Sequence, residues 1–221
     1  MKKVIYNKFD KSTIASFPVE KFPGRIIVIQ SESEAKKAVD YLLSQQILGV
    51  DTETKPSFMK GVASHLVALL QVSTHDTCFL FRLNKIGMTP SVIRLLEDKQ
   101  VMKVGLSWHD DLTGLKKRAE FTPGFFVDLQ DMVSDLGVED LSLQKLYANF
   151  FHKKINKRQQ LTNWEKNTLD DKQKMYASLD AWACIQLYEE MSRLKKCGEY
   201  ELVIVEEPKG EETNLEGNEN V

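Results

Sequence analysis

The stretch Ile47-Leu48-Gly49-Val50-Asp51-Thr52-Glu53 joins an apolar first half to a second half that carries two acids. Such a run is typical of a buried strand, in which side chains two positions apart point to the same face. Asp51 and Glu53 are therefore predicted to project together. Two anions on one face repel each other unless a cation lies between them, and carboxylates suit Mg²⁺ or Mn²⁺. Taken alone, the D-x-E pattern also fits a solvated strand end.

Strand and helix patterns alternate on both sides of this stretch. Further strands are predicted at residues 25–30, 65–73, 77–83, 101–105 and 125–127, with 65–73 and 77–83 forming a hairpin. Helices are predicted from start patterns at Ser31, Thr89-Pro90, Ser142 and Asp170, and at residues 108–118. This order of elements predicts an α/β domain with a mixed sheet.

Length and charge divide the chain into three expected segments. The 221 residues suffice for one sizeable core, assigned to residues 25–200, after an irregular N-terminal extension at 1–24. Residues 201–221 form an acidic tail that we expect to be disordered, because it lacks aromatic residues and periodicity. The formal net charge is −2, and the tail's glutamates leave the rest mildly basic. A mildly basic body can approach a polyanion but does not establish one as its partner.

Cysteine use and hydropathy predict a cytoplasmic protein with no membrane partner. Cys78, Cys184 and Cys197 are scattered without metal-binding spacing, which favours reduced thiols over a disulfide scaffold. No apolar run approaches the length of a membrane span. A secretion signal is not expected, because residues 6–11 (YNKFDK) interrupt any apolar segment after the N-terminal lysines.

Two further patterns place carboxylates on predicted helices. Tyr176 and Asp180 lie four residues apart, so they stack on one helix face, where a buried aspartate needs a partner charge or a metal. A Tyr–Asp hydrogen bond inside the core is the alternative. Asp110 and Asp111 begin the helix at residues 108–118, where acids can also simply favour the helix dipole.

Together, and in this order, the three patterns resemble the DEDD superfamily of 3′–5′ exonucleases, which includes ribonuclease D and the Werner-type exonuclease domain. The resembling residues are Asp51-x-Glu53, then Asp111, then Tyr176-x-x-x-Asp180. The segments HLVALLQVS, TCFLF, KVGLSWHDDLTGL and KRQQLTNWEKNTLDDKQKMYASLDAWACIQLYEEM also resemble the family's strands and motifs, so the similarity covers residues 25–197. Asp111 is chosen over Asp110 because the family aspartate has a leucine one and four positions later.

The resemblance implies a fold, an activity and a set of metal ligands. The fold would be a ribonuclease-H-like mixed five-stranded sheet flanked by helices. The activity would be metal-dependent 3′–5′ hydrolysis of DNA or RNA, releasing nucleoside 5′-monophosphates through two divalent ions, Mg²⁺ or Mn²⁺. Asp51, Glu53 and Asp180 would hold the ion that activates water, with Asp51 bridging, and Asp111 would hold the second ion largely through water.

The position of Tyr176, four residues before Asp180, implies the tyrosine-bearing branch of the family. In the histidine-bearing branch the base lies five residues before the last aspartate, a position occupied here by Met175. Tyr176 would orient the attacking water, because a phenol with a pKa near 10 is a poor base at neutral pH.

The expected partner is the single-stranded 3′ end of DNA or RNA, and four residues are assigned to binding it. Lys157 and Arg158 would contact phosphate, Phe58 would stack beneath a terminal base, and Trp164 either contacts substrate or anchors its loop. For the lysine and arginine a solvated loop is the alternative, and for Phe58 an exposed loop aromatic. Two other functions stay open: a non-catalytic nucleic-acid-binding module on this fold, and an oligonucleotide-specific phosphodiesterase.

Overall fold

The computed structural model describes residues 2–57 and 64–206 of the chain. In these residues the strands are β1 (Lys3–Tyr6), β2 (Arg25–Ile29), β3 (Ile47–Thr54), β4 (Val67–Ser73), β5 (Thr77–Phe81), β6 (Met102–Gly105), β7 (Phe126–Asp128) and β8 (Tyr200–Val203). The α-helices are α1 (Lys11–Ile14), α2 (Glu32–Leu42), α3 (Leu83–Ile86), α4 (Pro90–Glu97), α5 (Trp108–Lys116), α6 (Leu129–Val133), α7 (Leu143–Phe151) and α8 (Asp171–Cys197). Short 3₁₀ helices lie at Ser134–Leu136 and Lys157–Gln159.

A mixed sheet in the order β2-β5-β4-β3-β6-β7 places the D-x-E strand in its interior. Strand β3 runs antiparallel to β4 and parallel to β6, and β4 and β5 form the predicted antiparallel hairpin. The expected mixed sheet flanked by helices is confirmed. It has six strands where five were expected, because β2 adds to the edge of the hairpin in parallel register with β5.

Helices cover both faces of this sheet, and each face has its own apolar core. Helix α8 packs on one face, where Leu179 and Leu187 are buried. On the other face α2, α4 and α5 pack, with Val39 and Leu95 buried between helix and sheet. The long α8 therefore places the side chain of Asp180 on this face of the sheet.

The ends of α8 follow from its sequence. Asp170 accepts a hydrogen bond of 2.9 Å from the backbone N–H of Gln173, whose side chain accepts from Asp170 N, so the predicted capping box is present. The helix ends at Cys197, where Gly198 adopts φ 66°. Glycine stops the helix there because it enters the left-handed region without the steric cost of a Cβ atom.

The N-terminal extension, expected to be irregular, contains the strand β1 and the short helix α1. Strand β1 pairs in parallel with β8, bringing Lys3 beside Tyr200, and Ile5 is fully buried against the α8 core. The ordered chain thus continues through β8, past the boundary expected at residue 200. Residues 207–221 lie outside the described residues, and the division into extension, domain and tail stays a prediction.

The three cysteines are free thiols, as expected: Cys78 and Cys184 are buried and Cys197 is exposed. Across residues 2–57 and 64–206, no helix combines the length and the apolarity needed to cross a bilayer.

Candidate active site

Gly49 allows α8 to approach β3 closely enough for their carboxylates to meet. A Cβ atom at Gly49 would lie only 1.9 Å from the carbonyl oxygen of Ala181 and 2.9 Å from Cγ1 of Ile185. The helix backbone therefore rests directly on the strand two residues before Asp51. Asp180, which precedes Ala181, is carried to the same place.

Asp51 and Glu53 from β3 and Asp180 from α8 form an acidic cluster, in which one oxygen of each carboxylate lies within 4.8 Å of the others. Glu53 is 7% exposed and Asp180 5% exposed, so both are withdrawn from water. Oδ1 of Asp180 is buried and has no hydrogen-bond partner. Three converging carboxylates and an oxygen without a partner fit a divalent cation, which supplies the charge that the protein does not.

Burial raises the pKa of every carboxyl in the acidic cluster, and repulsion from neighbouring carboxylates adds to the shift of Asp51 and Glu53. The pKa of Asp51 is raised well above its usual range by burial and by the charges of Asp111 and Asp180. Burial, followed by the negative charge of Asp51, raises the pKa of Glu53 to about 11. Burial raises the pKa of Asp180 to about 7, although a hydrogen bond from Tyr176 opposes the shift. Such groups stay partly protonated until a cation binds.

Asp111 approaches the cluster from α5, on the other side of the sheet. Its Oδ1 accepts a hydrogen bond from the hydroxyl of Thr52, the residue between Asp51 and Glu53. Burial raises the pKa of Asp111 to about 7, against the lowering effect of that hydrogen bond. Asp111 is not one of the three carboxylates of the acidic cluster, but its charge raises the pKa of Asp51. The neighbouring Asp110 is exposed.

The start of α5 is held by Asp128 at the end of β7, a residue that sequence reasoning missed. Its carboxylate accepts hydrogen bonds from the backbone N–H groups of Ser107, at 3.0 Å, and Trp108, at 2.6 Å. Ser107 has φ 58°, an uncommon conformation for a residue with a side chain. Asp128 also caps α6, and an acid between an apolar strand and a helix pattern was the available sequence sign. By orienting α5, Asp128 positions Asp111.

Tyr176 lies beside the acidic cluster with its ring buried. The ring stacks on Trp164 with centroids 6.2 Å apart and an interplanar angle of 30°. Burial and the negative charges of Asp180 and Glu53 raise the pKa of its phenol above the ordinary value. The phenol is therefore a neutral hydrogen-bond donor, and it lies near enough to Asp180 to lower the pKa of that carboxyl, as their helical spacing predicts.

The residues assigned to substrate binding are found in four different settings. Lys157 lines a cavity of about 250 Å³ above the acidic cluster, and its charge lowers the pKa of Asp180. Arg158 lines a neighbouring cavity. Trp164 is 0% exposed, and its indole donates to the carbonyl of Gln160, an arrangement that favours the loop-anchoring alternative over contact with substrate. Phe58 lies outside the described residues.

Comparison with known proteins assigns the chain to a family. A family model described as 3′–5′ exonuclease matches residues 26–195. The chain is 28% identical over 206 residues to a 3′–5′ exonuclease of Arabidopsis thaliana, covering 86% of this chain and 72% of that protein. It is 26% identical over 188 residues to the bifunctional 3′–5′ exonuclease/ATP-dependent helicase WRN of Mus musculus, covering 81% of this chain and 13% of that protein.

The fold comparison agrees. The Aedes aegypti Nibbler EXO domain superposes with a TM-score of 0.74 at 18% identity, covering 83% of this chain and 95% of that chain. A Trypanosoma brucei RNase D in complex with RNA U12 superposes with a TM-score of 0.66 at 19% identity, covering 81% and 64% of the two chains. These likenesses show the fold, and the acidic cluster that the fold assembles could hold a divalent cation. The chain belongs to the 3′–5′ exonuclease family, whose members are hydrolases acting on phosphodiester bonds.

Proposed function

We propose that this protein is a metal-dependent 3′–5′ exonuclease of the tyrosine-bearing branch, removing nucleoside 5′-monophosphates from the single-stranded 3′ end of DNA or RNA. The observation that carries the proposal is the acidic cluster, in which three carboxylates share a space within 4.8 Å and one buried oxygen has no partner. Family membership over residues 26–195 supports the same chemistry.

Two divalent ions, Mg²⁺ or Mn²⁺, would neutralise the phosphate and make water a stronger nucleophile when bound. Asp51, Glu53 and Asp180 are the residues that would hold one ion, and Asp111 would hold the second. In the reaction the oxygen of water bonds to phosphorus while the bond from phosphorus to the 3′-oxygen breaks. The products are a nucleoside 5′-monophosphate and a strand that ends in a new 3′-hydroxyl.

Tyr176 and Lys157 have separate roles in this proposal. The phenol of Tyr176 orients the attacking water by a hydrogen bond, because its raised pKa keeps it from acting as a base. Lys157 lines the cavity above the acidic cluster and meets the negative phosphate with its ammonium group. Neither residue needs to change its charge during the reaction.

The test is an assay of 5′-labelled substrates with the purified protein. Single-stranded DNA, single-stranded RNA and duplexes with recessed 3′ ends are each incubated with Mg²⁺, with Mn²⁺ or with EDTA. We expect a ladder of products shortened from the 3′ end, nucleoside 5′-monophosphates in solution, and no products in EDTA. Blocking the 3′ end with a phosphate should slow degradation, whereas blocking the 5′ end should not.

Other outcomes identify the other functions. Binding of single strands without hydrolysis in either metal would contradict the proposal and favour a non-catalytic nucleic-acid-binding module. Hydrolysis confined to oligonucleotides of a few residues would favour an oligonucleotide-specific phosphodiesterase. The Asp51→Asn variant is the control for contaminating nucleases. If this variant is as active as the wild type, the activity does not come from the acidic cluster.

A further inference from the structure

A second cavity, of about 440 Å³, adjoins the site and shares Tyr176 with the cavity above the acidic cluster. Its size falls within the range of pockets that hold small ligands. We call it the basic cavity and define it by Val19, Lys21, Arg158, Lys172, Met175 and Leu179. One wall comes from the N-terminal extension, which lies outside residues 26–195 matched by the family model. The family assignment therefore does not account for this wall.

The wall from the N-terminal extension is held in place by specific bonds. Val19 pairs with Lys154 in an isolated parallel bridge, and Glu20 N donates to the Lys154 carbonyl at 2.9 Å. The carboxylate of Glu20 accepts from Lys153 at 2.6 Å and from the hydroxyl of Tyr147 at 3.1 Å. Lys21 follows directly and is exposed at the cavity. These bonds fix the segment in place as one wall of the basic cavity.

The charge of the basic cavity is positive. Within residues 2–57 and 64–206, the side chains of Lys21, Arg158 and Lys172 have no ion-pair partner. The two carboxylates in the lining are each paired with a lysine: Glu20 with Lys153, and Asp171 with Lys174 at 2.6 Å. Asp171 is also 96% exposed, so its charge is screened by water. Three cations beside an apolar floor of Met175 and Leu179 suit a ligand with phosphate and a base.

The position of these cations decides which nucleotide they meet. The 3′-terminal nucleotide brings one phosphate, which has to lie over the acidic cluster for its bond to be cut. It has no second phosphate to offer Lys21, Arg158 or Lys172. Each nucleotide on the 5′ side brings a phosphate of its own, and Tyr176 lies between the two cavities. The two cavities are therefore adjacent, and a nucleotide next to the scissile phosphate is the nearest one to the basic cavity.

We propose that the basic cavity binds the nucleotide on the 5′ side of the scissile phosphate, with its phosphate at Lys21, Arg158 and Lys172 and its base against Met175 and Leu179. This inference rests on the proposed exonuclease function and adds a specificity subsite to it. The N-terminal extension then takes part directly in holding the strand.

The test compares Lys21→Ala and Lys172→Ala with Lys37→Ala, an exposed lysine on α2 at the opposite face of the sheet. Binding of a 5′-fluorescein single-stranded decanucleotide is measured by anisotropy in EDTA at several salt concentrations. We expect each cavity variant to raise Kd about 3- to 10-fold and to reduce the slope of log K against log salt by about 0.7, the value for one lost single-strand phosphate contact. Lys37→Ala should match the wild type.

Activity is measured on two substrates that differ in what they offer the cavity. The decanucleotide occupies both cavities, whereas the p-nitrophenyl ester of thymidine 5′-monophosphate brings one phosphate and no 5′ nucleotide. We expect the cavity variants to raise KM for the decanucleotide and to leave kcat/KM for the ester within about twofold of wild type, since one lost contact acts only on the substrate that makes it.

Three results would overturn the subsite: cavity variants that bind the decanucleotide like Lys37→Ala, equal losses on both substrates, or a wild type that does not bind the decanucleotide in EDTA. The proposed function fails differently. In that case the wild type hydrolyses neither substrate with any metal, while the binding measurement still reports on the basic cavity.

Discussion

Thr52 on β3 donates a hydrogen bond to Oδ1 of Asp111 on α5. Side chains alternate along a strand, so Thr52 points away from the face that carries Asp51 and Glu53. The fourth predicted carboxylate is thus held by the residue in the middle of the D-x-E pattern, from the opposite side of the sheet. Thr52 thereby couples the position of α5 to the strand that carries two members of the acidic cluster.

Thr52→Val should weaken the site without removing a carboxylate. Valine keeps the shape of threonine but cannot donate to Asp111, whose pKa then rises further, because the hydrogen bond now lowers it. Loss of a residue that orients a metal ligand typically costs 10- to 100-fold in metal affinity or activity. We expect a loss of about that size, measured as exonuclease rate against Mg²⁺ concentration. Thr52→Ser keeps the hydroxyl and should recover most of the activity; if it does not, the hydrogen bond is not the cause.

Asp111→Asn and Asp110→Asn form a matched pair on one helix turn. Asp111 is partly buried beside Thr52, whereas Asp110 is exposed. Removing a carboxylate that would hold a metal ion, and with it the charge stabilisation that the ion gives the transition state, costs several kcal/mol, or about 10³-fold in kcat. We expect that loss for Asp111→Asn and less than about threefold for Asp110→Asn in the same single-strand assay. The reverse ranking would show that the wrong aspartate was chosen.

Tyr176→Phe separates water orientation from packing. The ring can still stack on Trp164, while the hydrogen bond of the phenol is lost. We expect kcat to fall about 10²-fold or more, a loss typical of a side chain positioned on the reacting groups, with metal affinity nearly unchanged. The measurement is kcat over a titration of Mn²⁺ for both proteins. If high Mn²⁺ restores full activity, Tyr176 acts through Asp180 and the metal site and does not orient water.

Without metal, the free energy of unfolding should fall as pH rises from about 4 to 7. Asp111 and Asp180 have pKa values of about 7 when folded, against about 3.9 in an unfolded chain. Between these values the folded state holds more protons, so raising the pH favours unfolding. Each unit of pKa difference corresponds to about 1.4 kcal/mol. Glu53, with a pKa of about 11, extends the trend to higher pH.

This pH dependence is measured by urea unfolding in EDTA and in Mg²⁺. Mg²⁺ should flatten the decline, because a bound cation stabilises the ionised carboxylates. Asp180→Asn in EDTA should flatten it as well, since one of the raised groups is gone. Glu190 serves as an internal contrast: its ion pairs hold its pKa at about 2, so its contribution is lost only below about pH 4.5. Stability that rises from pH 4 to 7 in EDTA would contradict the burial of the acidic cluster.

Gly49→Ala should disturb the cluster from beneath it. The new methyl group would overlap the Ala181 carbonyl, a backbone atom that cannot move aside without shifting α8. Overpacking of this kind costs about 1–3 kcal/mol or more, and here it also displaces Asp180 from Asp51. We expect a lower Tm and weaker Mn²⁺ binding by calorimetry. Gly87→Ala is the control, because its Cβ would meet no atom within 4 Å; it should cost only backbone strain and leave Mn²⁺ binding unchanged.

The parts of the structure that are written locally in the chain were predictable. The capping box of Asp170 and Gln173 predicts the start of α8, and the helical spacing predicts that Tyr176 and Asp180 share a face. The D-x-E pattern predicts two of the three members of the acidic cluster. Each of these rests on residues within one turn or one strand, where spacing decides geometry.

Long-range pairings were not predictable in the same way. The partner of Lys3 in the sheet is Tyr200, and no local pattern relates residues so far apart along the chain. Strand β2, the sixth strand of the sheet, also joins it through a pairing between distant residues, in this case with β5. Trp164 is an aromatic residue in a polar segment, and only the packing of the folded chain turns it inward against Tyr176. The role of Asp128 at the start of α5 likewise depends on two segments that meet only in the fold.

The parallel pairing of β1 with β8 links the N-terminal extension, which forms one wall of the basic cavity, to the far end of the chain. A stop codon or a proteolytic cut just after Gly198 would leave the acidic cluster, Asp111 and Tyr176 in place. Strand β1 would lose its partner, and the extension that leads to Lys21 would keep its contacts with α7 and with the segment after it, among them the hydrogen bonds of Tyr6 with Asn149 and the bridge of Val19 with Lys154. Such a truncated enzyme should cut short phosphodiesters normally while releasing long strands early, a loss of processivity caused by a distant deletion.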